Sequence, residues 1–232
     1  MKTLDKRNTE SGNVLFYILI AVALIAALSF AVSQSGRGNV QQLNAERARL
    51  YASEIIEYAN NLGNIVTQLK LRSCNEAELN FENPADTGYV NPTAASDNLC
   101  DIFHPAGGGF TWQRIPLETR DTTNFYLTDY FINGTNHVSG TKSSAGDLIF
   151  LAEIQESVCT AINTLSNIEP ADPPAQDTNG IHLIMGAKFK GTFAETSEIT
   201  AYTRESFACF YDSSTGNNSS DKYFFYKVLI SR

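Results

Sequence analysis

Four cysteines carry the most specific chemistry in this 232-residue sequence. Cys74, Cys100, Cys159 and Cys209 all follow an apolar run at residues 14–32, and none lies within it. An even number of cysteines in an exported domain predicts two disulfides, and four cysteines allow three pairings. We prefer Cys74–Cys100 with Cys159–Cys209, because each bond then closes a loop within one half of the domain. The sequence has no Cys-x-x-Cys pair and no Cys/His cluster, so it does not predict a zinc site.

A polar loop near the C-terminus carries oxygen groups of the kind that bind Ca²⁺. Asp212 and Asp221 bound the loop, and Ser, Thr, Gly and Asn residues fill it. Calcium prefers carboxylate, carbonyl and amide oxygens, but the spacing here is not that of an EF-hand loop. The pattern therefore favours a solvated hairpin loop without metal, with Asp212 and Asp221 as the candidate calcium ligands, and no other cofactor is expected.

The remaining reactive side chains do not form a catalytic pattern. His104, His137 and His182 lie in separate segments. The sequence has no Gly-x-Ser-x-Gly elbow, no His-Glu-x-x-His pair and no glycine loop that cradles phosphate at a helix start. The glycines Gly107–Gly109 follow a proline and precede a strand-like segment, which predicts a turn. The sequence therefore favours a non-enzymatic protein.

The apolar run at residues 14–32 predicts where the protein lies. It contains no charged residue and no proline. A helix needs roughly 20 apolar residues to cross about 30 Å of hydrocarbon, and it satisfies its own backbone groups in lipid. We therefore expect one membrane-spanning helix at 13–33, preceded by a leader at 1–12.

The leader and the overall charge indicate the orientation and exclude one class of partner. The leader is weakly basic, which favours a cytoplasmic N-terminus. The following domain would then lie in the periplasm of a bacterium with two membranes, anchored in the inner membrane.

The chain has 25 acidic against 17 basic residues and a formal net charge of −8. Phosphate-backbone binding depends on Lys and Arg clusters, so nucleic acid is not an expected partner.

An amphipathic helix is predicted at 34–72, directly after the span. Its apolar residues recur at three- and four-residue steps and include Leu43, Leu50, Tyr51, Ile55, Tyr58, Leu62, Ile65, Val66 and Leu69. Gly36 and Gly38 weaken a helix by about 1 kcal/mol each relative to alanine, which predicts a soft joint between the two halves. The apolar stripe is expected to pack on its own domain, and a coiled-coil partner is the alternative.

The fold expected for residues 73–232 is a globular domain of the α+β class. Ser144 and Asp147 resemble the start of a capping box, which predicts a further helix at about 145–165. Strand patterns follow, including 206–211 and 222–230 on either side of the polar loop. The economical arrangement is an antiparallel C-terminal sheet against the amphipathic half of the first helix.

These features together resemble type IV pilins and the pseudopilins of type II secretion. The resemblance rests on a basic leader ending in Gly12, an immediate apolar span, an amphipathic helix and a C-terminal sheet, and it is specific over residues 1–70. It implies that a prepilin peptidase cuts after Gly12 and leaves Asn13 as the new N-terminus. It also implies that the membrane helix associates with those of other pilin-like subunits, and that the protein is structural.

Two positions depart from the family pattern. The residue after the cut is usually Phe or Met, whereas this chain has Asn13. The family's glutamate, four residues further on, is replaced by Tyr17. A carboxylate in lipid costs several kcal/mol unless it is paired, and the family pairs it with the N-terminus of the neighbouring subunit. Lack of that carboxylate points to a minor or tip component of a secretion system or pilus.

Three alternatives remain open from the sequence. Ser11-Gly12-Asn13-Val14 also resembles the start of pilin-like proteins from tight-adherence systems. An ordinary single-span periplasmic protein with an uncleaved anchor would carry a similar apolar run. Small residues near Ala31 and Ser33 could allow release by signal peptidase, although the run is longer than the roughly 7–15 apolar residues of a signal peptide.

Overall fold

The computed structural model describes residues 11–84, 87–114, 131–138, 146–178, 188–193, 197–213 and 222–232. The chain divides into two units, Met1–Glu46 and Arg47–Arg232. The fold of the described residues is α+β, as predicted. The second unit begins at Arg47, so it includes the later part of the predicted amphipathic segment as well as residues 73–232.

The first helix, α1, extends from Ser11 to Leu71. It includes Gly36 and Gly38, so the helix does not stop at the predicted joint. Its later part buries one stripe of side chains at steps of three and four residues, namely Ala48, Ala52, Ile55, Tyr58, Ala59, Leu62, Val66 and Leu69. Leu50, which we had placed on the apolar side, is 64% exposed. The buried stripe instead begins at two alanines, whose small side chains allow close approach of the helix.

Six strands form one sheet among the described residues, in the order β3-β5-β6-β2-β1-β4. Their bounds are β1 Phe131–Val138, β2 Asp147–Ile154, β3 Gln176–Asp177, β4 Ser197–Ile199, β5 Phe207–Asp212 and β6 Lys222–Ile230. The four central strands pair antiparallel. The edge strands β3 and β4 are short and pair parallel with β5 and β1. The sheet is therefore mixed, and the predicted fully antiparallel sheet was wrong at its two edges.

The helix predicted at 145–165 was wrong over its first half. Residues Asp147–Ile154 form β2, and the second helix, α2, extends only from Glu156 to Leu165. Every residue of β2 is buried. A short apolar run buried on both faces has no alternation, so its pattern cannot be distinguished from that of a buried helix. The capping role assigned to Asp147 also fails, because its carboxylate accepts hydrogen bonds from Val138 and Arg232 instead.

The sheet separates two hydrophobic cores. Leu148, Phe150, Ala152 and Ile154 of β2 share a core with α1 and α2. Ile149 and Leu151 contribute to a second core, which also contains Tyr202, Phe210 and Tyr226. Side chains alternate between the faces of a strand, so a strand covered on both sides must be apolar throughout. The amphipathic part of α1 thus packs on the sheet, as predicted.

Two C-terminal strands and one turn of the second unit agree with the sequence predictions. The strands predicted at 206–211 and 222–230 correspond to β5 and β6. Gly107–Gly109 lie in a turn, as predicted. A Cβ on Gly107 would lie 2.2 Å from the carbonyl oxygen of Asp101, so this turn needs glycine for close backbone approach.

Gly63 lies inside α1, where the structure does not require glycine. An added Cβ would meet Leu229 at 3.7 Å, an ordinary van der Waals contact. Alanine favours the helix interior and restricts the unfolded chain, so Gly63→Ala should raise the free energy of unfolding by about 0.5–1 kcal/mol. Urea unfolding of the full chain in detergent micelles measures this change.

Gly191 provides the matched contrast to Gly63. Its φ is +86°, and an added Cβ would lie 2.5 Å from the carbonyl oxygen of Ala77. Gly191→Ala should therefore destabilise the protein in the same assay. Equal effects of the two substitutions would contradict the assignment of Gly63 as a tolerant position.

Candidate functional site: the exposed apolar segment of α1

The apolar segment of α1 is exposed along all of its described length. Side chains are described for residues 15–30, and all of these residues are exposed. Exposure of the large apolar side chains ranges from 42% at Ile20 to 66% at Phe30. A helix that is apolar on every side is normally buried in a protein core or in lipid. This segment therefore presents a continuous exposed apolar surface.

The predicted processing junction lies at the start of the same helix. Gly12 and Asn13 belong to the first turn of α1, and the leader residues 1–10 lie outside the described residues. Tyr17 is 64% exposed, and its ring centroid lies 6.4 Å from that of Phe16. Tyr17 therefore presents an exposed aromatic ring at this position. Within the part of the chain that is described, none of the helices has the combined length and apolar character needed to cross a membrane.

The four cysteines form the two disulfides that the sequence analysis preferred. Cys74 pairs with Cys100 at a Cα separation of 5.7 Å, and Cys159 pairs with Cys209 at 5.3 Å. The first bond joins the segment after α1 to the loop that precedes the Gly107–Gly109 turn. The second bond joins α2 to β5 and is completely buried. The second bond therefore connects a helix to the sheet, whereas the first bond connects two irregular segments.

Asn163 on α2 is a buried polar residue that sequence reasoning missed. Its side-chain amide donates to the carbonyl of Cys209 at 2.7 Å and accepts from the Cys209 N–H at 2.9 Å. It also donates to the hydroxyl of Tyr202 at 2.9 Å. The amide thus satisfies both outward backbone groups of one β5 residue. Its position four residues after Cys159, on the same face of the helix, was the available signal.

Tyr202 extends this polar network into the second core. Its hydroxyl donates to the carbonyl of Pro170 at 2.5 Å and accepts from the Ala175 N–H at 2.9 Å. Burial raises the pKa of the Tyr202 phenol, and it also raises the pKa of Tyr226 nearby. Both phenols therefore remain neutral near pH 7, where they serve as hydrogen-bonding groups and hold loop segments against the sheet.

An ion pair is buried between two central strands. Lys222 Nζ lies 3.0 Å from Glu153 Oε2, and the two side chains are 10% and 3% exposed. Asp212 pairs with Lys222 across the β5–β6 register and is also buried. Burying charges costs free energy unless they are paired, so the contact between Lys222 and Glu153 offsets a cost that either charge would carry alone.

Two further buried carboxylates accept hydrogen bonds from the backbone. Asp147 accepts from the N–H groups of Val138 and Arg232 at 2.9 and 2.8 Å. Asp177 accepts from the N–H of Thr200 at 2.7 Å and from that of Ala201 at 3.2 Å. Each carboxylate therefore binds the backbone of another segment to its own strand. Their roles are structural.

The remaining predicted site residues do not come together among the described residues. Of the two candidate calcium ligands, Asp212 is buried in β5, whereas Asp221 lies outside the described residues. No group of three or more His, Cys, Asp or Glu side chains suited to a metal ion occurs in the described part of the chain. His104 is exposed and accepts a hydrogen bond from the Ala106 N–H. The side chain of His137 and all of His182 lie outside the described residues.

Comparison of the chain with protein-family models, curated proteins and solved structures gave no match. Functional interpretation therefore depends on the residues themselves. Among them, the exposed apolar segment of α1 is the feature that the fold of the second unit does not explain.

Proposed function

We propose that this protein is a pilin-like, membrane-anchored structural subunit. The observation that carries the proposal is the exposure of residues 15–30, which form an apolar helical surface with no core of their own. Together with the flanking sequence they make an uncharged run at 14–32, long enough for a membrane helix. In this proposal the run anchors the protein in the bacterial inner membrane, and the unit from Arg47 onward lies in the periplasm.

The position of Tyr17 favours a minor or tip component of a type II secretion system or a type IV or tight-adherence pilus. A subunit inside a long filament would need a carboxylate at this position to pair with the N-terminus of its neighbour. Tyr17 has no carboxylate with which to form that ion pair. The partners in this proposal are the membrane helices of other pilin-like subunits, with prepilin peptidase as the processing enzyme.

Processing of the N-terminus tests this function. Mass spectrometry of the full chain purified from bacterial membranes should give a mature protein that begins at Asn13. Gly12→Val should block the cut and leave the leader attached. The added side chain would prevent the peptidase from binding the backbone closely at the cleavage position. Gly38→Val, a matched change in the same helix, should leave processing intact.

Two outcomes would count against the proposal. An intact Met1 in the unaltered protein would favour the alternative, an ordinary single-span periplasmic protein with an uncleaved anchor. A mature chain that begins after Ala31 or Ser33 would instead indicate release by signal peptidase. The three results differ by more than a kilodalton in mass, so a single measurement separates them.

A further inference from the structure

The two disulfides join cysteines that are consecutive in the sequence. The first cysteine pairs with the second and the third with the fourth, with separations of 26 and 50 residues. These are the two shortest loops that the four positions allow, because the next, between Cys100 and Cys159, spans 59 positions. Loop-closure statistics favour the Cys74–Cys100 contact over the Cys100–Cys159 contact by about threefold in the unfolded chain.

Three backbone hydrogen bonds beside the first pair join groups that lie early in the chain. The Cys74 N–H donates to the carbonyl of Leu69 at 3.1 Å, and the Asn80 N–H donates to the carbonyl of Cys100 at 3.1 Å. The Gly108 N–H closes the same region by donating to the carbonyl of Asp101 at 2.8 Å. None of these three hydrogen bonds involves α2 or β5. The first pair can therefore form before Cys159 reaches the same compartment.

The second pair depends on elements that come after the first pair. Cys159 lies on α2, and Asn163 on the same helix holds both backbone groups of Cys209. Cys209 lies in β5, whose antiparallel partner β6 follows it. If the first bond forms first, Cys74 and Cys100 are already oxidised when these elements meet. The two remaining thiols then have only each other as partners.

We infer that the disulfides are made in chain order by a thiol oxidase, a protein that donates a reactive disulfide, and that no disulfide isomerase is needed. This inference rests on the proposed export of the domain. For each bond a cysteine thiolate attacks the oxidant's disulfide and forms a mixed disulfide. The second thiolate then displaces the oxidant. Two electrons and two protons pass to the oxidant, which leaves as a dithiol.

The test is oxidation of the full chain in three bacterial strains: an unmodified strain, one lacking its thiol oxidase and one lacking its disulfide isomerase. Peptide mapping without reduction identifies the bonds, and maleimide labelling after denaturation measures the remaining thiols. We expect the same two bonds, in the same proportion, in the unmodified and isomerase-lacking strains. In the oxidase-lacking strain all four cysteines should label. A reporter protein with non-consecutive disulfides must be mispaired in the isomerase-lacking strain.

Two substitutions sharpen the test. Cys74→Ser leaves Cys100 without its partner until Cys159 arrives, so the isomerase-lacking strain should accumulate Cys100–Cys159 bonds. Cys209→Ser, the matched control, should leave the Cys74–Cys100 bond at its usual level. Peptide mapping reads these outcomes whether or not a variant folds.

Three results would overturn the inference. Mispaired bonds of the unaltered chain in the isomerase-lacking strain would show that chain order does not determine pairing. Normal bonds in the oxidase-lacking strain would exclude the proposed oxidant. Reduced cysteines in the unmodified strain would overturn both the inference and the proposed export. Uncleaved Met1 with normal bonds would overturn pilin-like processing alone.

Discussion

Replacing Asn163 with leucine should lower the free energy of unfolding by about 2–4 kcal/mol. The side-chain amide supplies both a donor and an acceptor to Cys209, and Asn163 is completely buried. Leucine would leave the N–H and the carbonyl of Cys209 buried without those partners. Each buried backbone group that loses its hydrogen bond costs about 1–3 kcal/mol. The substitution would also remove a hydrogen bond to the hydroxyl of Tyr202.

Urea unfolding of the full chain in detergent micelles measures this effect. Asn64→Leu is the matched control, since Asn64 is exposed on α1, and its effect should stay within about 0.5 kcal/mol. Asn163→Asp keeps an acceptor for the Cys209 N–H but cannot donate to the Cys209 carbonyl. It should therefore also destabilise the protein. A loss below about 1 kcal/mol for Asn163→Leu would mean that water or a shifted side chain replaces the amide.

Asn163 also illustrates what the sequence could not specify. Helical periodicity placed α2 near Cys159, and the cysteine positions favoured the observed pairing. No local pattern indicates that an asparagine on α2 pairs with the edge of a strand more than 40 residues later, because that contact exists only after the chain has folded. Such a residue protects an open strand edge, and the short strand β3 covers only two residues of β5.

A strand is harder to predict from sequence when both of its faces are buried. Strand β6 was predicted from its length, composition and flanking polar loop, and its bounds agree with the structure. Strand β2 was missed because its residues are buried on both faces and show no alternation. The short parallel edges β3 and β4 were also missed, since strands of two or three residues leave no periodic signal.

The hypothesis for the candidate site depends on composition, whereas the sheet depends on long-range contacts. The uncharged run at 14–32 is visible without any structure. The described part of it is exposed, which supports the proposed role as an anchor and as a surface for partner helices. The buried carboxylates Asp147 and Asp177 gave no such signal, since their partners are backbone groups of distant residues.

Lys222→Met should be the most damaging change to the buried ion pair, with a loss of about 3–5 kcal/mol in the free energy of unfolding. It leaves Glu153 as a buried charge without its cation, and removal of one partner of a buried pair typically costs this much. Asp212 lies opposite Lys222 in the β5–β6 register, so the change also leaves two carboxylates in the same part of the sheet. Urea unfolding of the full chain again gives the measurement.

Lys222 lies opposite Asp212 in the β5–β6 register, so the two partners of the Lys222–Glu153 ion pair are not equivalent. This difference distinguishes an electrostatic effect of the substitutions from a simple packing effect. Glu153→Gln leaves Lys222 opposite Asp212 and removes one charge, so its loss should be smaller, about 1–3 kcal/mol. The double change Glu153→Leu with Lys222→Met should recover part of the loss of Lys222→Met, because no glutamate charge then remains buried. Lys190→Met tests an exposed lysine and should have almost no effect. If Glu153→Gln were as damaging as Lys222→Met, Asp212 would contribute nothing to holding Lys222, and the lysine would depend on Glu153 alone.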